Sequence, residues 1–227
     1  MFSIFHTSHC GSTLLGAQLS KSVPTMNEPD WSHELDIKDK QHIMDNHKWT
    51  TLIKYPSSYC KYINEIPGKK VFLYRPLYSH ILKVSNNDDL QFQWEKMKPL
   101  FTEKIKKIEL NDQVSNKFKA TITWLDRVFN AITAKDTIYV NCFDYFKHPE
   151  YVAKQICKHF DIEYIPNPIS YEAKFAGLNH TNDYINTDNL TGVEMEWVEP
   201  IDVIDWDLYR WVENEIEDQY PKVKVFR

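Results

Sequence analysis

His9-Cys10-Gly11-Ser12-Thr13 places an imidazole, a thiol, a glycine and two hydroxyls in consecutive positions. Before them Phe2, Ile4 and Phe5 are apolar and strand-forming, and after them Leu14, Leu15, Ala17 and Leu19 recur at helical spacing. A strand, a tight loop and a helix start within about twenty residues is the layout of an anion cradle. Gly11 lets the backbone approach a ligand closely. Ser12 and Thr13 supply hydroxyls and unpaired N–H groups at a helix N-terminus, which favours an anion by roughly 0.3–1 kcal/mol when exposed and up to about 2 when partly buried. The segment reads as a phosphate loop. It is not a Walker A loop, G-x-x-x-x-G-K-[ST]. With Gly11 aligned to the second glycine, the first glycine falls on His6 and the lysine on Ser12.

Three further groups suit transfer chemistry. Lys54 closes the β-like run Thr50 to Lys54, Arg75 ends the apolar run Lys70 to Tyr74, and Glu28 sits in Asn27-Glu28-Pro29 after an extended stretch. In-line transfer of a phosphoryl or sulfuryl group needs positioning and neutralisation of charge on the leaving oxygen. A base that takes the acceptor's proton adds about 10²- to 10⁴-fold. Glu28 is a candidate base, and His33 and His47 are alternatives that are more often plain surface histidines. Trp31, Trp49 and Trp94 have the shape to stack on a sugar or a purine, but aromatics this frequent are more often core. No H-E-x-x-H or similar ligand spacing occurs, so metal binding has no support in the sequence.

The elements that position these groups alternate. Strands are expected near Phe2–Phe5, within Val23–Trp31, and at Thr50–Lys54, Lys70–Tyr74 and Thr137–Asn141. Helices are expected over Ile37–His47, Tyr59–Ile66 behind a Ser57 cap, Arg75–Val84, Leu90–Leu110, Val114–Ile132, Pro149–Phe160 and Trp206–Gln219. Such alternation predicts an α/β fold, a mostly parallel sheet with helices on both faces, with ligands at the carboxyl ends of the strands. The 227 residues suit a single domain, with a core over 1–162 and an irregular, flap-like segment and final helix over 163–227. His180, Asn182 and Asn186 lie in that flap.

A net charge of −5 gives a nucleic-acid partner no electrostatic support. No apolar run reaches the length of a membrane span, and the first residues lack a signal-peptide layout. The four cysteines (Cys10, Cys60, Cys142 and Cys157) are widely spaced and read as free thiols, which predicts a cytoplasmic protein.

Three segments in order resemble the sulfotransferase family. His9-Cys10-Gly11-Ser12-Thr13-Leu14-Leu15 is similar to its loop of Lys or Arg, a small residue, Gly, two Ser/Thr and often two Leu, with His9 where the family carries the basic residue. Lys70 to Val84 resembles the segment that holds the donor's 3′-phosphate: a strand, Arg-x-Pro, then a helix with Ser eight residues after the Arg. Arg75 matches; Pro76 comes one position early, Lys83 stands where the Ser would be, and Ser79 lies one helical turn before it. Phe143-Asp144-Tyr145-Phe146, Pro149-Glu150 and Phe160-Asp161-Ile162 follow the cadence of the family's Tyr-Glu-Asp-Leu, Pro-Glu and Phe-Leu-Gly-Leu-like stretches.

The resemblance implies a P-loop-like fold, the donor 3′-phosphoadenosine 5′-phosphosulfate with adenosine 3′,5′-bisphosphate as product, and a hydroxylated acceptor such as a carbohydrate. It implies donor binding by His9, Cys10, Gly11, Ser12, Thr13, Arg75, Ser79 and Lys83, and catalysis by Glu28, His9 and Lys54. The glycine- and lysine-rich donor loop of the cytosolic members is absent, which turns the reading away from phenol or steroid acceptors. Two rivals remain: a nucleotide-binding protein of the same fold without catalysis, and a small-molecule kinase with an atypical loop.

Overall fold

A computed structural model of the chain describes residues 1–28, 52–85, 90–106 and 115–167. Its spine is a five-stranded, wholly parallel sheet in the order β2-β3-β1-β4-β5, built from β1 (Phe2–His6), β2 (Thr25–Asn27), β3 (Leu52–Lys54), β4 (Lys69–Tyr74) and β5 (Thr137–Asn141). Each matches a predicted strand. β1 lies at the centre, with Ile4 opposite Lys54 on one side and Val71 on the other. The chain adds strands first on one side of β1 and then crosses to the other, so the loop leaving β1 opens at the switch point where such sheets bind ligands.

Alternation along the strands splits the core in two. Phe5, Ile53, Phe72 and Tyr74 face a layer made by the 3₁₀ turn Ser57–Tyr62, α2 (Leu77–Val84), α3 (Leu90–Met97) and α5 (Asn116–Ile132). Ile4, Leu52, Val71, Leu73 and Val140 face α1 (Ser12–Leu19), α6 (Cys142–Lys147) and α7 (Pro149–Phe160). Both faces are covered, as a parallel sheet requires. Each fully buried Leu, Ile or Phe contributes roughly 1.5–3 kcal/mol.

Several elements depart from the sequence reading. The expected helix Leu90–Leu110 is broken into α3, a 3₁₀ turn at Lys98–Leu100 and the short α4 (Glu103–Lys106). Pro99 is the reason, because proline has no N–H to continue the ladder. The helix expected over Tyr59–Ile66 is the 3₁₀ turn Ser57–Tyr62, which Ser57 does not cap; its hydroxyl meets Ser8 Oγ at 3.3 Å. Between β5 and Pro149 the chain forms α6, capped by the Asn141 carboxamide oxygen, which accepts from Phe143 N at 2.9 Å. α7 ends at Asp161, which takes the left-handed conformation (φ 57°) that Asp tolerates.

The helices over Ile37–His47 and Trp206–Gln219, the residues Trp31, His33, His47 and Trp49, and the flap with His180, Asn182 and Asn186 lie outside the described residues. Trp94 is fully buried in the core, edge-on to Phe101, so it is no stacking platform. All four cysteines are buried free thiols. Among the described residues no helix is long and apolar enough to cross a membrane.

Candidate functional site

The loop Thr7–Gly11 is held from below by its neighbours. Thr7 N donates to Leu73 O (3.1 Å), and Thr7 Oγ1 accepts from Arg75 N (2.8 Å), which ties the exit of β1 to the exit of β4. Cys10 turns inward, its thiol donating to Thr7 O at 2.9 Å, so it shapes the loop from inside and offers no side chain to a ligand. Gly11 precedes α1 with φ 80°, and Leu15 N closes the first helical bond on Gly11 O. No side chain caps α1, so the N–H groups of its first turn, from Ser12 and Thr13 onward, are left for an anion.

Gly11 is required twice over. A left-handed residue with a Cβ costs roughly 1–2 kcal/mol, and a Cβ here would stand 2.6 Å from Phe146 Cε1. Gly11→Ala is therefore expected to displace either the loop or the Phe146 ring. It should lower the melting temperature and weaken phosphate binding at the loop together, both measurable in one thermal-shift titration.

Arg75 leans over this turn. Nε and Nη2 both donate to His9 O (2.9 and 2.6 Å), Nη1 donates to Ser79 Oγ (2.8 Å), and the guanidinium lies 5.7 Å from the Phe143 ring centroid. Trp124 Nε1 fixes the Arg75 carbonyl at 2.7 Å. Arg75 and Ser79 thus converge on the loop. Lys83, one turn further along α2, is exposed, and its charge is felt at His9.

His9 stands at the mouth with a left-handed backbone (φ 57°). Crowding of its ring by protein, and then the charges of Lys83, Arg75 and Arg127, push its pKa down to about 4. It is neutral near pH 7, so the fixed charge expected of the basic loop position is absent in the free protein. A bound phosphate would offset those cations and draw a proton onto the ring. Affinity of the loop for a phosphate group is therefore expected to rise as pH falls from about 7 toward 5, with proton uptake. Calorimetry in buffers of different ionisation enthalpy measures that uptake, and His9→Gln should remove it.

A second cluster forms where β1, β2 and β3 end. Glu28 follows β2 with φ 40°, and its N–H donates to Lys54 O at 2.8 Å. Its Oε1 pairs with Lys54 Nζ, and His6 Nε2 stands 3.7 Å from the same oxygen. Lys54 is 3% exposed, so this is a buried charge cluster. Burial alone would raise the Glu28 pKa, but the His6 contact and the Lys54 charge overcome it and hold the carboxyl well below the usual range. Burial and Lys54 push His6 down, yet its contacts with Cys10 and Glu28 prevail and leave it raised.

Of the sequence-predicted residues, the structure gathers His9, Gly11, Ser12, Thr13, Arg75 and Ser79 around one loop, and Glu28 with Lys54 beside it. His6 was missed, although its position at the last residue of a strand entering the loop marks it in retrospect. Among the described residues no group of three His, Cys, Asp or Glu side chains is placed to hold a metal ion.

No family model matches the sequence, and no curated protein matches it. Solved structures do. The sulfotransferase domain from the curacin biosynthetic pathway superposes with a TM-score of 0.52 at 14% identity, covering 73% of this chain and 75% of that one. The chain has a sulfotransferase-like fold. A sulfotransferase from Alicyclobacillus acidocaldarius aligns at TM-score 0.47 and 12% identity over 76% of this chain and 85% of that one. The sulfotransferase domain of the Synechococcus PCC 7002 olefin synthase aligns at 0.43 and 14%, over 73% and 74%. At 14% identity the fold is what is shared with the curacin-pathway domain; the chemistry follows from the residues.

Proposed function

We propose that this chain is a sulfotransferase, which moves a sulfuryl group from 3′-phosphoadenosine 5′-phosphosulfate to a hydroxyl of an acceptor such as a carbohydrate. The observation that carries the proposal is the convergence of three devices at one end of the sheet. These are an uncapped helix N-terminus behind a left-handed glycine, a guanidinium bonded to that same turn, and a buried carboxylate–lysine pair next to it.

The residues present fit the donor. The α1 N–H groups with the Ser12 and Thr13 hydroxyls hold its 5′ end, while Arg75, Ser79 and Lys83 hold the 3′-phosphate. When bound, the donor supplies an activated sulfuryl group with a phosphate leaving group. Lys54 serves the developing charge, where one lost donor costs roughly 3–4 kcal/mol, and His9 adds a hydrogen bond. Glu28 takes the acceptor's proton. In the free protein it is a weak base because Lys54 and His6 hold it ionised. Part of its basicity returns as Lys54 turns from the carboxylate to the reacting group, while the His6 contact still holds the carboxyl low, so the ion pair serves as a resting state.

A non-catalytic nucleotide-binding protein is the second reading, favoured by the neutral His9 and by the depressed Glu28. The deciding experiment is transfer of labelled sulfate from the donor to a panel of hydroxylated acceptors. Transfer supports catalysis, whereas bisphosphate binding without transfer to any acceptor supports the second reading.

A further inference from the structure

Arg127 lies in the middle of α5 and is fully buried, and among the described residues its guanidinium makes no ion pair; the charge of the adjacent Asp126 reaches it only at longer range. Nη2 reaches Met97 Sδ at 3.2 Å, a weak acceptor, while Nε and Nη1 have no hydrogen bond. Among the described residues no carboxylate lies within ion-pair distance. Asp126, next to it in sequence, is turned to Thr102 N at 2.7 Å. A buried guanidinium with two idle nitrogens is costly to keep, since arginine does not shed its proton.

His80, on α2, is also fully buried; its ring meets the Ser8 backbone without completing a well-formed hydrogen bond. The two residues adjoin the phosphate loop: His80 lies against the Ser8 backbone, and the Arg127 charge is felt at His80, His9 and Cys60. Ser8 Oγ meets Ser57 Oγ at 3.3 Å and Gln93 Oε1 at 3.4 Å, both near the long limit of a hydrogen bond, and Ser57 and Gln93 are only half-buried. Gln93 and Met97 lie one turn apart on α3, so the same helix face covers both Ser8 and Arg127.

We propose that Arg127 and His80 form a second anion subsite, behind Ser8 and Ser57, which takes an oxyanion carried by the acceptor, a carboxylate or a sulfate ester. The inference rests on the sulfotransferase reading only in calling that molecule the acceptor. Ser57 begins the turn that follows β3, the strand that ends in Lys54, so the subsite lies toward the Lys54–Glu28 pair. Arg75 serves the donor on the β4 side. The acceptor is then an acidic molecule, for instance an acidic sugar, with its anion anchored behind Ser8 and its hydroxyl presented to Glu28.

The test uses the full chain with the loop saturated by adenosine 3′,5′-bisphosphate, titrated with acetate and, separately, with inorganic sulfate, in wild type and in Arg127→Met. Expected is a saturable thermal stabilisation in the wild type that Arg127→Met weakens about tenfold or more. The unliganded variant should melt at or above the wild-type temperature, because methionine fills the space without the charge. Arg127→Lys should keep part of the response. Equal responses in wild type and Arg127→Met, or no response in either, overturn the subsite. So does an Arg127→Met protein that unfolds or melts several degrees lower, since the charge would then already be matched within the fold. The bisphosphate titration of each protein is read separately. Its failure counts against the donor site and leaves the comparison between the two proteins standing.

Discussion

Glu28→Gln is expected to lower sulfuryl transfer by about 10²- to 10⁴-fold while leaving affinity for adenosine 3′,5′-bisphosphate within about twofold of the wild type. Glutamine keeps the shape and can still accept from Lys54, but it cannot take a proton. Glu28 pairs with Lys54 at the end of β3, while the proposed nucleotide contacts belong to α1, Arg75 and Ser79. Binding and turnover therefore separate in this variant. Full activity in Glu28→Gln would assign the base elsewhere.

The same substitution has a signature in stability. The Glu28 pKa is lower in the folded chain than the 4.5 of the free group. Its contribution is present above about pH 4.5 and is lost as pH falls through the folded value. Wild type should thus lose more stability than Glu28→Gln between about pH 5 and 2. At neutral pH the variant is the less stable, because a nearly buried lysine has lost its counter-charge. Acid denaturation curves of the two proteins measure both effects.

Arg75→Ala is expected to weaken bisphosphate binding by roughly 10- to 100-fold, the range of charge-assisted hydrogen bonds at about 1.5–3 kcal/mol. Two losses combine. The cation at the exit of β4 disappears, and the His9 carbonyl loses both donors that shape the turn. Arg75→Lys separates them, since lysine restores the charge but cannot fork onto His9 O. An affinity for Arg75→Lys close to that of Arg75→Ala marks loop shaping as the larger part. If Arg75→Ala binds like the wild type, the 3′-phosphate is held elsewhere. Melting curves should show a small loss, because the Arg75 backbone stays anchored to Thr7 and Trp124.

The strands were legible because β-branched and aromatic residues cluster in short runs bounded by turns, as in Lys70–Tyr74, and alternate cores claim successive residues of those runs. The long helix after Leu90 was misread because its apolar period runs on past Pro99, while the backbone cannot. α6 was missed because Asn141 ends β5 and caps the helix in the same residue, leaving no loop to signal the change.

The site divides in the same way. Gly11, Arg75, Lys54 and Glu28 stand at ends of elements, where local pattern places them. His6 and Arg127 depend on contacts that no spacing reveals. The apolar stripe Phe118, Ile122, Leu125 and Phe129 on α5 assigns Arg127 to a polar, outward face. Met97 of α3 reaches that face as well, and nearly all of α5 between Lys119 and Phe129 is buried.

In the proposed function two separate cradles grip the two ends of one doubly phosphorylated adenosine. Calorimetric titration with adenosine 3′,5′-bisphosphate, adenosine 5′-monophosphate and ATP with magnesium tests it most directly. The bisphosphate is expected to bind most tightly, by about tenfold or more over the monophosphate, and Arg75→Ala to erase that advantage. Equal affinity for the two, or a magnesium-dependent preference for ATP, would contradict it.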